Sequence, residues 1–325
     1  MLVWQDFVCS RKFDSSITPA SAAQWETEQR RMMDHLHNHP SIVTWIVFNE
    51  GWGQYDTERL TKWTKGYDPS RLVTCASGWT DFPVGDIYDN HDYSYNISPA
   101  QGSNFTDRAT LCGECGGFNV LIPGHLWHRD QSQQARVMPA GETGRESYDS
   151  SEQWEPRYRT WLTNLRLMQA GGLNAAVYTQ ISDVEHECNG WLTYDRKVSK
   201  FPADELGRWH RKLYEPIQTH MLFELKNDGG EAPAHEGQMT LSVVPERLAM
   251  HAVGAGGFEL FLNGELVMTI SNSDRAGYVP YCTVLLPPAA RQVLHEGDNV
   301  VRVRYKPDKK AKTADIRFAI LAVGE

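Results

Sequence analysis

The 325-residue sequence carries 32 Lys and Arg against 41 Asp and Glu, and its net charge of −9 argues against nucleic acid or an anionic membrane as partner. Hydrophobic residues make up 41% and charged residues 22%, an ordinary globular balance in a chain long enough for two domains. No apolar run approaches the ~18 residues of a membrane-spanning helix. The six Cys are scattered rather than framed as disulfides, and Cys112-x2-Cys115 has no second pair to complete a zinc site, so neither metal nor cofactor is expected.

In chain order, Leu2 to Phe7 reads as a short strand with no basic, apolar leader before it; any export signal is expected upstream of Met1, and localisation is not legible. Ser21 to Asn38 reads as a helix, with Trp25, Met32, Met33 and Leu36 on one stripe and Pro40 as its stop. Ile42 to Phe48 is a buried parallel-type strand running into Asn49-Glu50-Gly51-Trp52. Leu60, Trp63 and Tyr67 mark a helix stopped by Asp68-Pro69-Ser70. Strands follow at Leu72 to Ala76, Asp86 to Tyr93 and Ala109 to Phe118. The last of these embeds Glu114 among Gly113, Gly116 and Gly117.

About thirty residues without periodicity come next, including Trp127 and His128, a length that suits a functional loop. A helix bearing Trp154, Tyr158, Trp161, Leu162, Leu165 and Met168 then leads to a sixth strand, Leu173 to Thr179, which opens into Gln180, Asp183 and Glu185. Ala203 to about Leu225 is expected to be mainly helical, interrupted at Pro216. Beyond Lys226 the pattern is all β, with Asn263-Gly264 as a hairpin signal. The fold class is α/β: a (β/α)8 TIM barrel apparently lacking its first two strands, followed by a small β-sandwich. The domains are residues 1–225, a linker at 226–237, and 238–325.

Polar residues collect at strand C-termini, and two of them are glutamates on different parallel strands. Glu50 and Glu114 are what glycoside hydrolysis needs: one carboxylic acid to protonate the departing oxygen, and one carboxylate to attack the anomeric carbon or activate a water. Beside them, Asn49 is a hydroxyl-binding candidate, Trp52 and Trp79 are candidate walls, and the glycines would let the backbone turn sharply around Glu114. A salt-bridged structural acid remains the bland alternative for Glu50, and a tight turn with a solvated acid at its tip for Glu114.

Asn38-His39-Pro40-Ser41 running into Phe48-Asn49-Glu50-Gly51-Trp52 resembles the acid/base segment of glycoside hydrolase family 2, which includes β-galactosidases, β-glucuronidases and β-mannosidases. Gly113-Glu114-Cys115-Gly116-Gly117 resembles its nucleophile turn. Tyr178-Thr179-Gln180 with Asp183-Val184-Glu185, Asn189-Gly190 and Tyr194-Asp195-Arg196 resembles its eighth-strand exit. The matches cover about residues 1–222. The resemblance implies a retaining β-glycosidase, most like a β-galactosidase, acting on a carbohydrate, with Glu50 as acid/base and Glu114 as nucleophile. His91 and Tyr93 stand where the family often places sugar-binding and nucleophile-orienting groups; Asn49, Trp52, Trp127, Gln180 and Asp183 are further candidates for sugar contacts, an ion pair with Arg196 being the alternative for Asp183 and Glu185. A homo-oligomer is left open. The family's preceding domains and first two barrel strands are not seen, so the expectation is a fragment or truncated gene product. The alternative function is a non-catalytic carbohydrate-binding protein or an inactive glycosidase fragment.

Overall fold

A computed structural model describes residues 2–9, 17–93, 107–127, 147–148, 150–169, 171–226, 230, 234–271, 281–307 and 315–323. Two compact units emerge: residues 1–91, 104–114 and 174–177 form the first, and 92–103, 115–173 and 178–325 the second.

The first unit is built on a six-stranded sheet of order β1 (Val3–Asp6), β2 (Ile42–Ile46), β3 (Leu72–Thr74), β4 (Ile87–Asp92), β5 (Ala109–Gly116) and β8 (Leu173–Thr179). The β1–β2, β2–β3 and β3–β4 pairs are parallel. Helix α1 (Pro19–Leu36) starts where Thr18 Oγ1 accepts from the Ser21 N–H and Pro19 supplies its fixed φ. Its expected stripe is inward: Met33 is buried, and Trp25 stacks on Phe48 with ring centroids 5.1 Å apart. Each fully buried side chain of this kind contributes about 1.5–3 kcal/mol, against helix propensities of a few tenths, so packing rather than propensity holds the helix.

Helix α2 (Thr57–Tyr67) ends at Asp68, whose buried carboxylate accepts from Trp45 Nε1 (2.9 Å) and from Arg71. Arg71 also donates to the carbonyls of His37, His39 and Ile42. One guanidinium thus pins the Asn38-His39-Pro40-Ser41 approach to β2, fixing where that strand begins. The β2–β3 ladder continues past the regular strands: Ser77 N–H donates to Phe48 O, and Glu50 N–H to Ser77 O.

In the second unit, helix α3 (Ser151–Gln169) buries Trp154, Tyr158, Trp161 and Leu165, with Phe118 set edge-on against the three rings. Within the long loop, β6 (Asn119–Val120) and β7 (Ser147–Tyr148) pair in parallel; His128 lies outside the described residues. The expected helix from Ala203 to Leu225 is shorter than predicted. Helix α4 (Ala203–Arg211) and a 3₁₀ turn stop before Pro216, and Gln218–Leu225 is strand β9, paired with β16 (Ile316–Val323). Proline supplies no helical N–H, and the alternating residues after it find a strand partner that no local signal reveals.

The remaining strands are β10 (His235–Leu241), β11 (Arg247–Val253), β12 (Ala255–Leu262), β13 (Glu265–Ile270), β14 (Tyr281–Leu285) and β15 (Gly297–Pro307). They form four-stranded antiparallel sheets of order β10-β15-β12-β13 and β14-β11-β16-β9, and their buried residues merge into one hydrophobic cluster that includes Met250, Phe258, Leu260 and Phe318. β11 is not anticipated from the sequence. The expected linker at 226–237 overlaps β10 from His235 onward, while 227–229 and 231–233 lie outside the described residues. Asn263 and Gly264 both take positive φ (49° and 89°), as a two-residue hairpin turn requires.

Candidate active site

The candidate site lies within the first unit, at the C-terminal ends of its strands. Glu50 follows β2 in a left-handed backbone conformation (φ 52°), which a non-glycine residue adopts only when its surroundings hold it there. The ladder bond from Glu50 N–H to Ser77 O is one such restraint. Glu114 sits near the end of β5. His91 comes from β4, where strict alternation buries Ile87, Asp89 and His91 on one face.

His91 joins the two acids. Its Nδ1 is 2.8 Å from Glu50 Oε1 and 3.4 Å from Glu114 Oε2, and one carboxylate oxygen of each acid with this nitrogen forms a set lying within 4.8 Å. The imidazole is fully covered, whereas Glu50 and Glu114 keep 14% and 32% of their side-chain surface, so both acids face an opening and the ring does not. Three such donors could also converge on a cation, although the 2.8 Å separation of Nδ1 and Oε1 is that of a proton-sharing pair.

Behind His91 stands a buried polar chain that the sequence does not announce. Ser77 Oγ is 2.7 Å from His91 Nε2 and donates to Asp89 Oδ2 at 2.7 Å; the other Asp89 oxygen accepts from the Gly113 N–H at 2.5 Å. Asp89 is fully buried. Gly113 is glycine for space rather than for φ, because a Cβ there would enter the Asp89 carboxylate. Gly116 and Gly117 do adopt positive φ, as the glycine-rich turn suggests. Period-two alternation on β4 was the signal available for Asp89: two residues before a buried His91, it must share that face. Gly78 closes the floor, its Cα side lying against Glu50 Cγ and His91 Nδ1.

The electrostatics follow from this crowding. Burial by itself pulls the His91 imidazole down, but its hydrogen bond to Glu50 and the charges of Glu114, Asp89 and Glu50 carry it above the ordinary value. Burial pushes the Asp89 carboxyl up, against the donors from Ser77 and Gly113. Asp6, at the end of β1, is pushed up to about 6 by desolvation and by the charges of Glu114 and Asp89, although the residue keeps an exposed surface on the edge strand.

Of the other expected contacts in this unit, Asn49 bridges Ser77 through its backbone, Trp52 is 38% exposed, and Trp79 stands edge-on to His91 at 6.5 Å. Tyr93, Trp127, Gln180 and Asp183 belong to the second unit. There Trp127 is exposed and sits edge-on to Tyr194 at 5.7 Å. Gln180 donates to Asn189 Oδ1 at 2.8 Å. Asp183 is buried; it accepts from Lys200 Nζ (2.7 Å) and the Gly190 N–H (2.8 Å), so its ion-pair partner is Lys200 rather than Arg196, the alternative the sequence offered. Lys200 was not anticipated because sixteen intervening residues separate it from Asp183 in the sequence and only the folded loop joins them.

Residues 6–107 match the family model described as Glycosyl hydrolases family 2, TIM barrel domain. A β-galactosidase of Leuconostoc mesenteroides subsp. mesenteroides is 37% identical over 57 residues, 18% of this chain and 6% of its own length. A β-galactosidase of Klebsiella pneumoniae is 36% identical over 69 residues, 21% of this chain and 7% of its own length. The FMN-binding β-glucuronidase of Facaelibacterium prausnitzii L2-6 aligns with 97% of this chain and 46% of its own, at 17% identity and a TM-score of 0.41. The matched stretches thus span a small part of the curated relatives and under half of that solved structure. The family resemblance carried by Asn38 to Trp52 is borne out: the chain carries a family 2 barrel segment, and its parallel sheet is a partial TIM barrel. Glu50 and His91 lie inside the matched stretch and Glu114 just beyond it.

Proposed function

From two glutamates sharing one histidine, one within the stretch that matches a family 2 barrel and one just beyond it, we propose that this chain is a retaining β-glycosidase, with a β-galactoside as the first substrate to try. The observation that carries the reading is the approach of Glu50 and Glu114, whose nearer oxygens lie within 4.8 Å of each other. Double displacement uses carboxyls about 5–5.5 Å apart, whereas inversion needs about 6.5–9.5 Å to admit a water between acid and sugar.

In this reading Glu50, in its acid form, protonates the glycosidic oxygen as the bond to the leaving group breaks. Glu114 attacks the anomeric carbon and forms a glycosyl ester. Glu50, now a carboxylate, takes a proton from water, which displaces Glu114 and regenerates both groups. His91 lies between the acids and lessens their mutual repulsion whenever it is protonated. Asn49, Trp52 and Trp79 are proposed as sugar contacts in the first unit; Tyr93 and Trp127, in the second, are proposed on the sequence resemblance and residue type alone. Gln180 and Asp183 are engaged by Asn189 and Lys200, and we assign them to shaping the segment after β8. We also read the paired C-terminal sheets as a β-sandwich module. We take β9 as the first strand of that module and propose the domain junction ahead of it, near residue 217.

The test is hydrolysis of a panel of aryl β-glycosides by this chain. Glu114→Ala is expected to abolish release of the aryl group, and added azide to restore part of it by displacing the aryl group directly from the face Glu114 would use, yielding an α-glycosyl azide of configuration inverted relative to the substrate. No release from any member of the panel by the unmodified chain would refute the proposal.

A further inference from the structure

The side chains of Ser77 and Asp89 are buried polar groups in line with His91, turned to the ring and to each other. We propose that they are positioning residues that hold a proton on His91 Nε2, so that the proton exchanged by the site lies between His91 Nδ1 and Glu50 Oε1.

The assignment rests on donor and acceptor counting. Asp89 uses one oxygen for the Gly113 N–H and the other for Ser77 Oγ. A carboxylate offers no proton of its own, so the single hydroxyl proton of Ser77 goes to Asp89. The Ser77 oxygen is then left as an acceptor, 2.7 Å from His91 Nε2, and only a ring N–H can complete that contact. Fixing the proton on Nε2 leaves Nδ1 as the nitrogen that gains or loses one, and Nδ1 faces Glu50 Oε1 at 2.8 Å. When the pair holds its extra proton, His91 donates from both nitrogens. When the ring is neutral, Nδ1 can accept only from the acid form of Glu50. Glu50 therefore has a proton partner that solvent does not reach. The charged groups bearing on the ring are Glu50 after β2, Glu114 on β5, Asp89 on β4 and Asp6 on β1, all carboxylic acids, and they favour the proton staying in the site.

The position of the proton follows from this geometry with Asp89 ionised; its consequence for turnover rests on Glu50 being the acid/base. Long-range ¹H–¹⁵N correlation on the ¹⁵N-histidine-labelled full chain reads the first directly, with the His91 resonances identified by their loss in His91→Gln. The expected result is that Nε2 stays in the protonated range across the titration while Nδ1 carries the change. Asp89→Asn is expected to invert the chain: its Oδ1 still accepts from Gly113, its NH₂ donates to Ser77 Oγ, and the Ser77 proton turns to Nε2. Neutral His91 then moves to the Nδ1–H form. Ser77→Ala should release the tautomer preference and Ser77→Thr should keep it. A neutral His91 protonated on Nδ1 in the unmodified chain, or a tautomer unmoved by Asp89→Asn in a folded variant, overturns the proposal.

If the chain hydrolyses an aryl β-glycoside, Ser77→Ala should lower kcat about 10²-fold, the lower edge of what general acid–base catalysis supplies, with KM little changed and recovery in Ser77→Thr. A proportional rise in KM without loss of kcat would overturn the link to Glu50. A chain that hydrolyses nothing would defeat the proposed function, while the ring-nitrogen spectra still decide where the proton sits.

Discussion

Substituting Gly113 by Ala tests whether the site depends on the close approach of β4 and β5. The added Cβ would lie 2.5 Å from Asp89 Oδ1 and 2.7 Å from its Cγ, and nearer still to Oδ2. Ordinary carbon contacts begin at about 3.5 Å, so the carboxylate must retreat by about 1 Å. It has no room to do so freely, being fully buried with Oδ2 tied to Ser77 and Oδ1 to the Gly113 N–H. Overpacking costs about 1–3 kcal/mol, and loss of the Gly113 N–H bond to a charged acceptor about 1.5–3 kcal/mol, so a destabilisation of about 3–5 kcal/mol is expected. Urea unfolding of the variant, with amide exchange in β4 and β5 as the local readout, measures it. The decisive comparison is a cycle with Asp89→Ala, which removes the atoms that the new methyl strikes. The double variant should then be less destabilised than the sum of the singles by about 2 kcal/mol or more. Additivity within about 0.5 kcal/mol, or a Gly113→Ala cost below about 1 kcal/mol, would show that the glycine is not there to admit Asp89.

Arg71→Ala leaves the buried Asp68 carboxylate with only Trp45 and Ser70 as donors and frees the carbonyls of His37, His39 and Ile42; equilibrium unfolding should show a loss of about 3–5 kcal/mol. The same donors hold Asp68 well below the usual carboxylate range, so its contribution is complete above about pH 4 and is lost as pH falls through its folded value. Asp68→Asn should accordingly flatten the acid limb of stability against pH. Asp6 has the opposite sign. Its folded value is raised to about 6, so the fold favours its protonated form, and that stability fades as pH rises from about 4 through 6. Asp6→Asn should therefore melt higher than the unmodified chain at pH 7–8, with the difference vanishing below pH 4; thermal melts across that range check it.

What the sequence by itself determined was local and periodic. The stripe in α1, the apolar run of β2 and the Asn-Gly hairpin each follow from a repeat or a turn chemistry contained within a few residues, and each was found where expected. The two glutamates were legible for the same reason: an acid at the end of an apolar strand stands out against its neighbours. Tertiary structure alone decided their environment. Ser77, Asp89 and Gly113 come from three consecutive strand ends, and nothing in any one segment says that a serine will bridge a histidine to an aspartate across them. β9 and β11 were hidden because strand identity depends on a partner distant in sequence, and Lys200 because an ion pair is set by where a loop returns. The sequence placed an acid at Asn49-Glu50 and a second at Glu114. The fold brought one imidazole within reach of both and buried behind it the groups that orient it.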